Sequence, residues 1–253
     1  MQVQSGALTD PGQKRKRNED FYISDDALGL FVVIDGMGGH ARGDVASHLV
    51  GEAIRTFVAE TVQGSQKTWP FEFDPHLSYS ANRIKAAVAV ANDRLARRAG
   101  EDEQLRGMGA TMAGALIDGE HVVISHVGDC RTYLIRDGGI RQVTSDHSWV
   151  AEQVRSGLID QADAKRHPLR NVVTRAISGA ESLEVDVIEL TLSPGDRLLL
   201  CCDGLHGVVS DDDLLQKTTA ASGPQAACEA LVALANARGA PDNVTAIVVA
   251  VSE

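Results

Sequence analysis

Cysteine is scarce in this sequence, and its spacing argues against two kinds of covalent or metal cross-link. The 253 residues contain four cysteines, Cys130, Cys201, Cys202 and Cys228, and no pair is spaced as C-x-x-C. A structural zinc site needs ligand spacings that are missing here. Cys201 and Cys202 are adjacent, so in a strand they would point to opposite faces. We therefore expect four reduced thiols in the core.

Positive charge is also in short supply. Lys and Arg number 24 against 35 Asp and Glu, which gives a formal net charge of -11. Because affinity for a phosphate backbone comes from clustered basic residues, this composition argues against a general nucleic-acid binder. The one basic run is K-R-K-R at residues 14–17. Taken alone, such a run is typical of a solvated surface patch.

Long apolar runs are absent. No stretch reaches the length needed to span a bilayer, and residues 1–20 lack the apolar segment of a signal peptide. We therefore expect a cytoplasmic protein with no membrane segment. Hydrophobic residues at 43% and charged residues at 23% are ordinary for a globular protein. The length allows one large core, so we predict a single domain over residues 1–253.

Aspartates at strand ends are the most informative feature of the sequence. The apolar run at residues 30–34 predicts a buried strand that stops at Asp35 and a glycine-rich loop. The same design recurs at Asp129 and Asp203, and Asp242 directly precedes a last apolar strand. Any one of these aspartates would simply end a strand in a turn. If all four strand ends converge, however, the carboxylates need a cation.

The hydrophobic periodicity predicts an α+β chain. Helices are predicted over residues 44–60, 80–100 and 225–238, with a further helix capped by Ser210. Strands are predicted over residues 21–24, 30–34, 110–117, 121–127, 131–136, 140–144, 172–177, 183–192, 196–202 and 244–249. Residues 1–17 are polar and no strand is predicted there, while residues 149–170 are predicted as a surface excursion. Strands grouped in meanders favour antiparallel sheets over βαβ crossovers.

Clustered aspartates suit a hard divalent metal. Their oxygens bind Mg2+ or Mn2+ in preference to thiolate-loving metals, and unpaired carboxylates raise one another's pKa values. Two ions roughly 3.5–4 Å apart would relieve this repulsion and could direct a bridging water in line at phosphorus. The phosphate would then need a cationic clamp, which Arg15 or Arg17 could supply.

Eight short motifs, in a fixed order, resemble those of a known family. They are R-K-R-N-E-D (15–20), V-V-I-D-G-M-G-G-H (32–40), G-A-T (109–111), V-G-D-C-R (127–131), T-S-D-H-S (144–148), N-V-V-T-R-A-I (171–177), C-D-G-L (202–205) and D-N-V-T (242–245). Each motif is weak alone, but together they span nearly the whole chain. By these motifs the sequence resembles the metal-dependent Ser/Thr protein phosphatases, the PPM or type 2C family, in its bacterial single-domain form.

This resemblance implies a four-layer α-β-β-α sandwich, in which two central antiparallel sheets lie between helices. It implies hydrolysis of phosphoserine and phosphothreonine in proteins, with two Mn2+ or Mg2+ ions and a possible weaker third. The implied partners are phosphorylated proteins and a bacterial Ser/Thr kinase whose action the enzyme opposes. We expect a monomer that binds neither nucleic acid nor membrane.

The resemblance also implies roles for the acidic residues. Asp35 would bridge both metals, with the carbonyl of Gly36 on the second. Asp203 and Asp242 would complete the first metal's ligands. The second metal would be held by Asp20, with Glu19 as a possible helper. Asp129 would pair with Asp203 in the third site.

Other residues acquire roles in the same way. Arg15 aligns with the phosphate-binding arginine, and residues 149–170 align with the mobile flap that shapes substrate access. The general acid is open: Met37 occupies the place of the histidine found in animal members, so either His40 or a metal-bound water would protonate the leaving group. Asp146-His147-Ser148 is interpreted as a structural motif near the site. His126, His147 and His206 are left out of catalysis.

The sequence also bears on three other functions. A nucleotide-binding loop is disfavoured, because the glycines near Asp35 lack the G-x-x-x-x-G-K-[ST] pattern and a βαβ context. A catalytically silent phosphoprotein binder is disfavoured because the predicted ligands and Arg15 are all present. A phosphatase for small phosphoesters or for a phosphorylated anti-sigma-factor antagonist stays open, although no attached sensor domain points to it.

Overall fold

The computed structural model describes residues 1–38, 42–61 and 71–253. The strands in this part of the chain form two five-stranded antiparallel sheets, in the orders β1-β10-β9-β6-β7 and β2-β3-β4-β5-β8. Their bounds are β1 (Gln2–Asp10), β2 (Asp20–Asp25), β3 (Leu30–Met37), β4 (Gly109–Asp118), β5 (His121–Val127), β6 (Arg131–Arg136), β7 (Gly139–Gln142), β8 (Asp186–Thr191), β9 (Arg197–Cys201) and β10 (Val244–Ser252).

The described residues form seven α-helices. They are α1 (Gly43–Glu60), α2 (Tyr79–Glu101), α3 (Trp149–Arg155), α4 (Gln161–Arg166), α5 (Asp203–His206), α6 (Asp211–Ala220) and α7 (Pro224–Ala237), and a single 3-10 turn follows α2. Ser78 caps α2 and Ser210 caps α6, each by accepting a hydrogen bond from a backbone N–H of the first turn.

The strand β3 shows why the chain forms four layers. Its side chains alternate between two environments, as the period of a strand requires. Val32 and Ile34 belong to the core between this sheet and helices α1 and α2. Phe31 and Val33 point the other way and pack between the two sheets, against residues such as Leu200. Because both faces of the strand are covered, its sequence is a continuous apolar run.

The sheet that contains β9 and β10 repeats the arrangement on the opposite side. Leu199 and Val248 face α6 and α7, where they pack against Leu214 and Leu231 in a separate cluster of buried residues. The layers therefore run helix, sheet, sheet, helix, and the predicted four-layer α-β-β-α sandwich is confirmed. The four cysteines are buried free thiols, as expected.

Three local predictions were wrong. The polar N-terminal segment forms β1, which pairs along its whole length with β10 from Gln2↔Ser252 to Asp10↔Val244. Residues 172–177 form no strand, and their bridge pairing is limited to isolated bridges at Val173 and Ile177. The short helix α5 directly after β9 was not predicted. In each case the decisive contacts are made with residues far along the chain.

The predicted excursion at residues 149–170 contains α3 and α4, and it follows β7 in the chain. No helix in the described residues is long and apolar enough to cross a bilayer.

Candidate active site

Strand register brings two of the predicted ligands together. Asp20 is the first residue of β2 and Asp35 lies near the end of β3, and the two residues are direct partners across the antiparallel pair. Asp20 is buried, and its Oδ2 accepts a hydrogen bond from Thr245 Oγ1 at 2.5 Å. Thr245 belongs to β10 of the other sheet, so this bond crosses between the sheets at the edge of the sandwich.

The sheet that contains β9 and β10 contributes two further aspartates at the same edge. Strands β9 and β10 are antiparallel neighbours, so the end of β9 meets the start of β10. Asp203 follows β9 by two residues and Asp242 precedes β10 by two. Asp203 lies close enough to Asp35 and to Asp242 for both side chains to influence its pKa.

Asp129 reaches the cluster from the end of β5. The glycine before it has φ of 104°, and a Cβ there would lie 2.3 Å from the Cβ of Thr111. The turn that delivers Asp129 therefore requires glycine. Asp35 and Asp203 are both close enough for their charges to interact with Asp129.

Burial and mutual repulsion make the carboxyl groups of this edge weak acids. Burial, followed by the charges of Asp203 and Asp242, raises the pKa of Asp20 to about 7. Burial, followed by the charge of Asp203, raises the pKa of Asp129 to about 7. Burial, followed by the charge of Asp242, raises the pKa of Asp203 to about 6. The pKa of Asp35 is raised well above its ordinary value, again by burial first and by its acidic neighbours second.

Two oxygens of the cluster lack hydrogen-bond partners among the described residues. Asp20 Oδ1 and Asp203 Oδ1 are both buried and unpaired there. A buried carboxylate oxygen without a donor is costly, because it has lost its water and gained nothing in return. Hard carboxylate oxygens that are buried, unpaired and mutually repelling fit Mg2+ or Mn2+.

Arg15 is held beside the cluster by an ion pair. Its Nη2 lies 2.6 Å from Oδ2 of Asp242, and both side chains are partly exposed. The loop that carries Arg15 is anchored by Asn243, a buried residue whose amide makes three bonds to it. Asn243 Nδ2 donates to the carbonyls of Pro11 and Arg17 at 3.0 and 2.9 Å, and its Oδ1 accepts from the N–H of Glu19 at 2.9 Å.

Gly36 lies in a tight contact at the end of β3. Its N–H donates to the carbonyl of Glu19 at 3.2 Å. A Cβ placed on Gly43, at the start of α1, would lie 2.6 Å from the Gly36 carbonyl oxygen and 3.1 Å from the Glu19 carboxyl carbon. The carbonyl of Gly36 and the carboxylate of Glu19 thus both lie next to Gly43, where a side chain would contact them. Their predicted roles at the second metal stay predictions.

His40, the predicted general acid, lies outside the described residues. A different group of possible ligands is visible beside the acid cluster: one atom each from His126, His147 and Asp186 lie within 4.8 Å of one another. Among the described residues this is the one group of three such side chains that is so compact, so no three aspartates of the acid cluster have ligand atoms this close together. Wider spacing is expected for carboxylates that repel one another.

Sequence reasoning missed several residues that build the site. Asn243 and Thr245 lie inside the motif D-N-V-T, yet their side-chain bonds to the Arg15 loop and to Asp20 were not anticipated. His206 was left out, but its Nε2 donates to the backbone carbonyl of Asp129 at 3.0 Å. Polar residues next to a candidate ligand were the only available signal, because each bond spans more than 70 residues of sequence.

Comparison with known proteins places this arrangement in a family. The family model described as Protein phosphatase 2C matches residues 13–240. The serine/threonine phosphatase stp of Listeria welshimeri is 32% identical over 248 residues, which cover 95% of this chain and 93% of that protein. The serine/threonine protein phosphatase PstP of Mycobacterium tuberculosis is 36% identical over 244 residues, which cover 96% of this chain and 44% of that protein.

Solved structures show the same architecture. The Mycobacterium tuberculosis serine/threonine phosphatase PstP/Ppp superposes with a TM-score of 0.88 at 33% identity, and the match covers 100% of both chains. A PstP catalytic domain in complex with two manganese ions superposes with a TM-score of 0.86 at 32% identity, over 99% of both chains. With its sandwich fold and acid-lined edge, this chain belongs to the protein phosphatase 2C family of metal-dependent serine/threonine phosphatases.

Proposed function

We propose that this protein removes phosphate from serine and threonine side chains of other proteins at the edge where the two sheets meet. The proposed metal ligands are Asp20, Asp35 with the Gly36 carbonyl, Asp203 and Asp242 for two ions, and Asp129 with Asp203 for a weaker third. The observation that carries the proposal is the convergence of four weakly acidic carboxyl groups, two with unpaired buried oxygens, from both sheets.

Mn2+ or Mg2+ bound here would act as a Lewis acid that activates a water nucleophile and polarises the phosphate. The manganese ions in the similar PstP catalytic domain support this choice of metal. The chain's own contribution is to hold its ligands in place before the metal arrives. The Asp20–Thr245 bond between the sheets and the glycine turn before Asp129 both fix carboxylates in position.

Arg15 is the proposed phosphate-binding residue. A guanidinium matches the geometry of phosphate oxygens and keeps its charge at any pH of interest. In the structure Arg15 is paired with Asp242. A cation held by Asp242 would neutralise the charge of this carboxylate and would leave Arg15 free to bind a phosphate. The same carboxylate would thus link metal loading to substrate binding.

The remaining parts of the proposal concern the biological setting, the leaving group and the flap. We place the protein in the cytoplasm, which four buried free thiols support. Phosphorylated proteins are the substrates, and a Ser/Thr kinase is the activity it opposes. The proton for the leaving group comes from His40 or from metal-bound water, and residues 149–170 act as the flap over the site.

The test is metal-dependent turnover with a matched control. Protein stripped of metal is assayed on a phosphothreonine peptide with and without Mn2+, for the wild type, Asp35→Asn and Asp212→Asn. Asp212 is an exposed aspartate in the first turn of α6, remote from the site. We expect Mn2+ to restore activity in the wild type and in Asp212→Asn, and Asp35→Asn to lose at least about 100-fold.

Two results would contradict the proposal. Full activity of Asp35→Asn would show that the acid cluster takes no part in catalysis. Binding of Mn2+ and of the phosphopeptide without any turnover would instead identify a catalytically silent phosphoprotein binder.

A further inference from the structure

The turn at Gly128 and Asp129 is fixed by side chains that the proposed chemistry does not use. Asp129 is delivered to the acid cluster by a glycine in a left-handed conformation. Both backbone groups of Gly128 and the carbonyl of Asp129 are hydrogen-bonded to histidines. A turn with this many side-chain and backbone bonds has little freedom to move.

His147 makes two of these bonds. The N–H of Gly128 donates to Nδ1 of His147 at 3.0 Å, and the N–H of His147 donates to the carbonyl of Gly128 at 2.7 Å. The side chain of His147 is buried, so water does not compete for these bonds. A single residue therefore fixes both sides of the peptide group that precedes the candidate ligand Asp129.

The second nitrogen of His147 is held from the opposite side. Because Nδ1 accepts a hydrogen bond, the neutral ring must carry its proton on Nε2. Two groups lie near this nitrogen, Oδ2 of Asp186 at 3.1 Å and Nη1 of Arg175 at 3.2 Å, and only the carboxylate can accept the proton. Asp186 is in turn bound through Oδ1 by Arg175 Nη1 at 2.6 Å. Burial opposes the charge of Asp186, but the bonds from His147 and Arg175 hold the pKa of this carboxyl below its ordinary value.

Both ends of the excursion at residues 149–170 meet at the same place. The N–H of Trp149 donates to the carbonyl of Val172 at 2.9 Å, and the N–H of Thr174 donates to the carbonyl of His147 at 2.8 Å. His147 stands just before the excursion and Arg175 just after it. The chain leaves and returns through two residues that are joined by Asp186.

From these contacts we infer that His147 is a positioning residue that holds Asp129 in place for metal binding and connects this position to the base of the excursion. The inference rests on the proposed metal-dependent phosphatase function. His147 touches neither the substrate nor the proposed metals. It acts through the backbone of Gly128, with Asp186 and Arg175 fixing its tautomer and its ring orientation.

A metal ion held by His126, His147 and Asp186 is the competing explanation for this cluster. The geometry of His147 argues against it. A neutral ring that coordinates through Nε2 would carry its proton on Nδ1, which would then face the N–H of Gly128. The guanidinium of Arg175 already bonds the Asp186 carboxylate that such an ion would need.

Three substitutions of His147 separate the two hydrogen bonds of its ring, the one that Nδ1 accepts from Gly128 and the one that Nε2 donates to Asp186. His147→Asn keeps an oxygen acceptor near the place of Nδ1, and His147→Gln keeps an N–H donor near the place of Nε2. His147→Phe keeps the ring volume and loses both. Asp129→Asn is the reference variant, because it removes the ligand itself. Each stripped protein is titrated with Mn2+ in a calorimeter, and its melting temperature is recorded without metal.

We expect Asp129→Asn to weaken one Mn2+ site, and His147→Phe to weaken the same site by about 10- to 100-fold. His147→Asn should recover most of this loss and His147→Gln should not. The combination of His147→Phe with Asp129→Asn should be no worse than Asp129→Asn alone. Hydrogen exchange at the Gly128 amide should accelerate in His147→Phe and stay slow in His147→Asn.

Several results would overturn the inference. They are an unchanged Asp129-dependent site in His147→Phe, an equal loss at every Mn2+ site together with a lower melting temperature, and no Mn2+ site that depends on Asp129. Zn2+ binding lost in Asp186→Asn and retained in Asp129→Asn would favour the competing metal site. These readouts do not require turnover. A wild-type protein that binds Mn2+ in this pattern and hydrolyses nothing would contradict the proposed function and leave the role of His147 intact.

Discussion

The guanidinium of Arg15 and the carboxylate of Asp242 form an ion pair with Nη2 and Oδ2 separated by 2.6 Å. A candidate phosphate-binding residue and a candidate metal ligand are thus ion-pair partners. Both side chains are partly exposed, so the pair contributes under about 1 kcal/mol to folding. Its importance lies in the competition between metal, phosphate and arginine for the same charges.

Replacing Arg15 should therefore affect substrate binding much more than stability. Arg15→Ala removes a charged hydrogen bond to phosphate worth about 1.5–3 kcal/mol, which predicts a KM raised about 10- to 100-fold in Mn2+-dependent peptide hydrolysis. Lys16→Ala, an exposed neighbour with the same change of charge, is the control. An equal effect of both substitutions would mean that only the general positive charge of the loop matters.

Asn243 offers a second route to the same loop. Its amide holds Pro11, Arg17 and Glu19 through three hydrogen bonds, so Asn243→Ala should lower the free energy of unfolding by about 1–3 kcal/mol and raise KM. Asn236→Ala is the matched control, because Asn236 makes one exposed hydrogen bond to Gln13 of the same loop. Urea denaturation and peptide kinetics on both variants decide whether Arg15 is positioned by the three bonds of Asn243 or by the loop itself.

Acidification should stabilise the metal-free protein through its acid cluster. The pKa values of Asp20 and Asp129 are raised to about 7, so the folded state holds protons that the unfolded chain releases above about pH 4. This contribution to stability is complete below about pH 4 and is lost as the pH rises to 7. Two histidines work in the opposite direction below about pH 6.5, because burial lowers the pKa of His126 to about 4 and of His206 to about 3.

A comparison with Asp35→Asn isolates the acid cluster from these histidines. The variant removes one of the repelling charges, so it should be more stable than the wild type at pH 8 without metal. The difference in melting temperature should shrink toward pH 4 and should reverse when Mn2+ is added at pH 8. A difference that does not change with pH would contradict the electrostatic origin of the effect.

The turn at Gly128 can be tested by a single methyl group. Gly128→Ala combines a left-handed backbone with a Cβ 2.3 Å from that of Thr111, and we expect it to cost about 2–4 kcal/mol. Gly119 also has a positive φ, of 62°, but a Cβ there meets no atom within 4 Å. Gly119→Ala should cost about 1 kcal/mol. Equal losses in urea denaturation would show that the contact with Thr111 is easily relieved.

The parts of the fold that could be predicted from sequence are those encoded by local pattern. The apolar run of β3 predicted both a buried strand and the position of Asp35 at its end. By contrast, β1 exposes or half-exposes every residue except Gly6, so its sequence carries no alternation. It is a strand only because β10, more than 230 residues away, supplies its hydrogen bonds.

The same distinction between local sequence pattern and long-range contact applies to the candidate site. Aspartates at strand ends predicted a common edge, because neighbouring antiparallel strands place alternate ends together. The tautomer of His147 and the bonds of Asn243 depend on which backbone groups face them in three dimensions. No period or spacing in a single sequence contains that information. Residues 172–177 have the composition of a strand, yet their backbone closes the base of the excursion instead.

The two sheets each supply part of the acid cluster: Asp20, Asp35 and Asp129 come from one, and Asp203 and Asp242 from the other. The distances between these carboxylates therefore depend on the alignment of one sheet over its neighbour, which the layer containing Phe31 and Leu200 determines. Because such a layer is close-packed, a change of one methylene group there shifts the sheets relative to each other. Metal affinity is thereby sensitive to substitutions in apolar residues that lie nowhere near a metal.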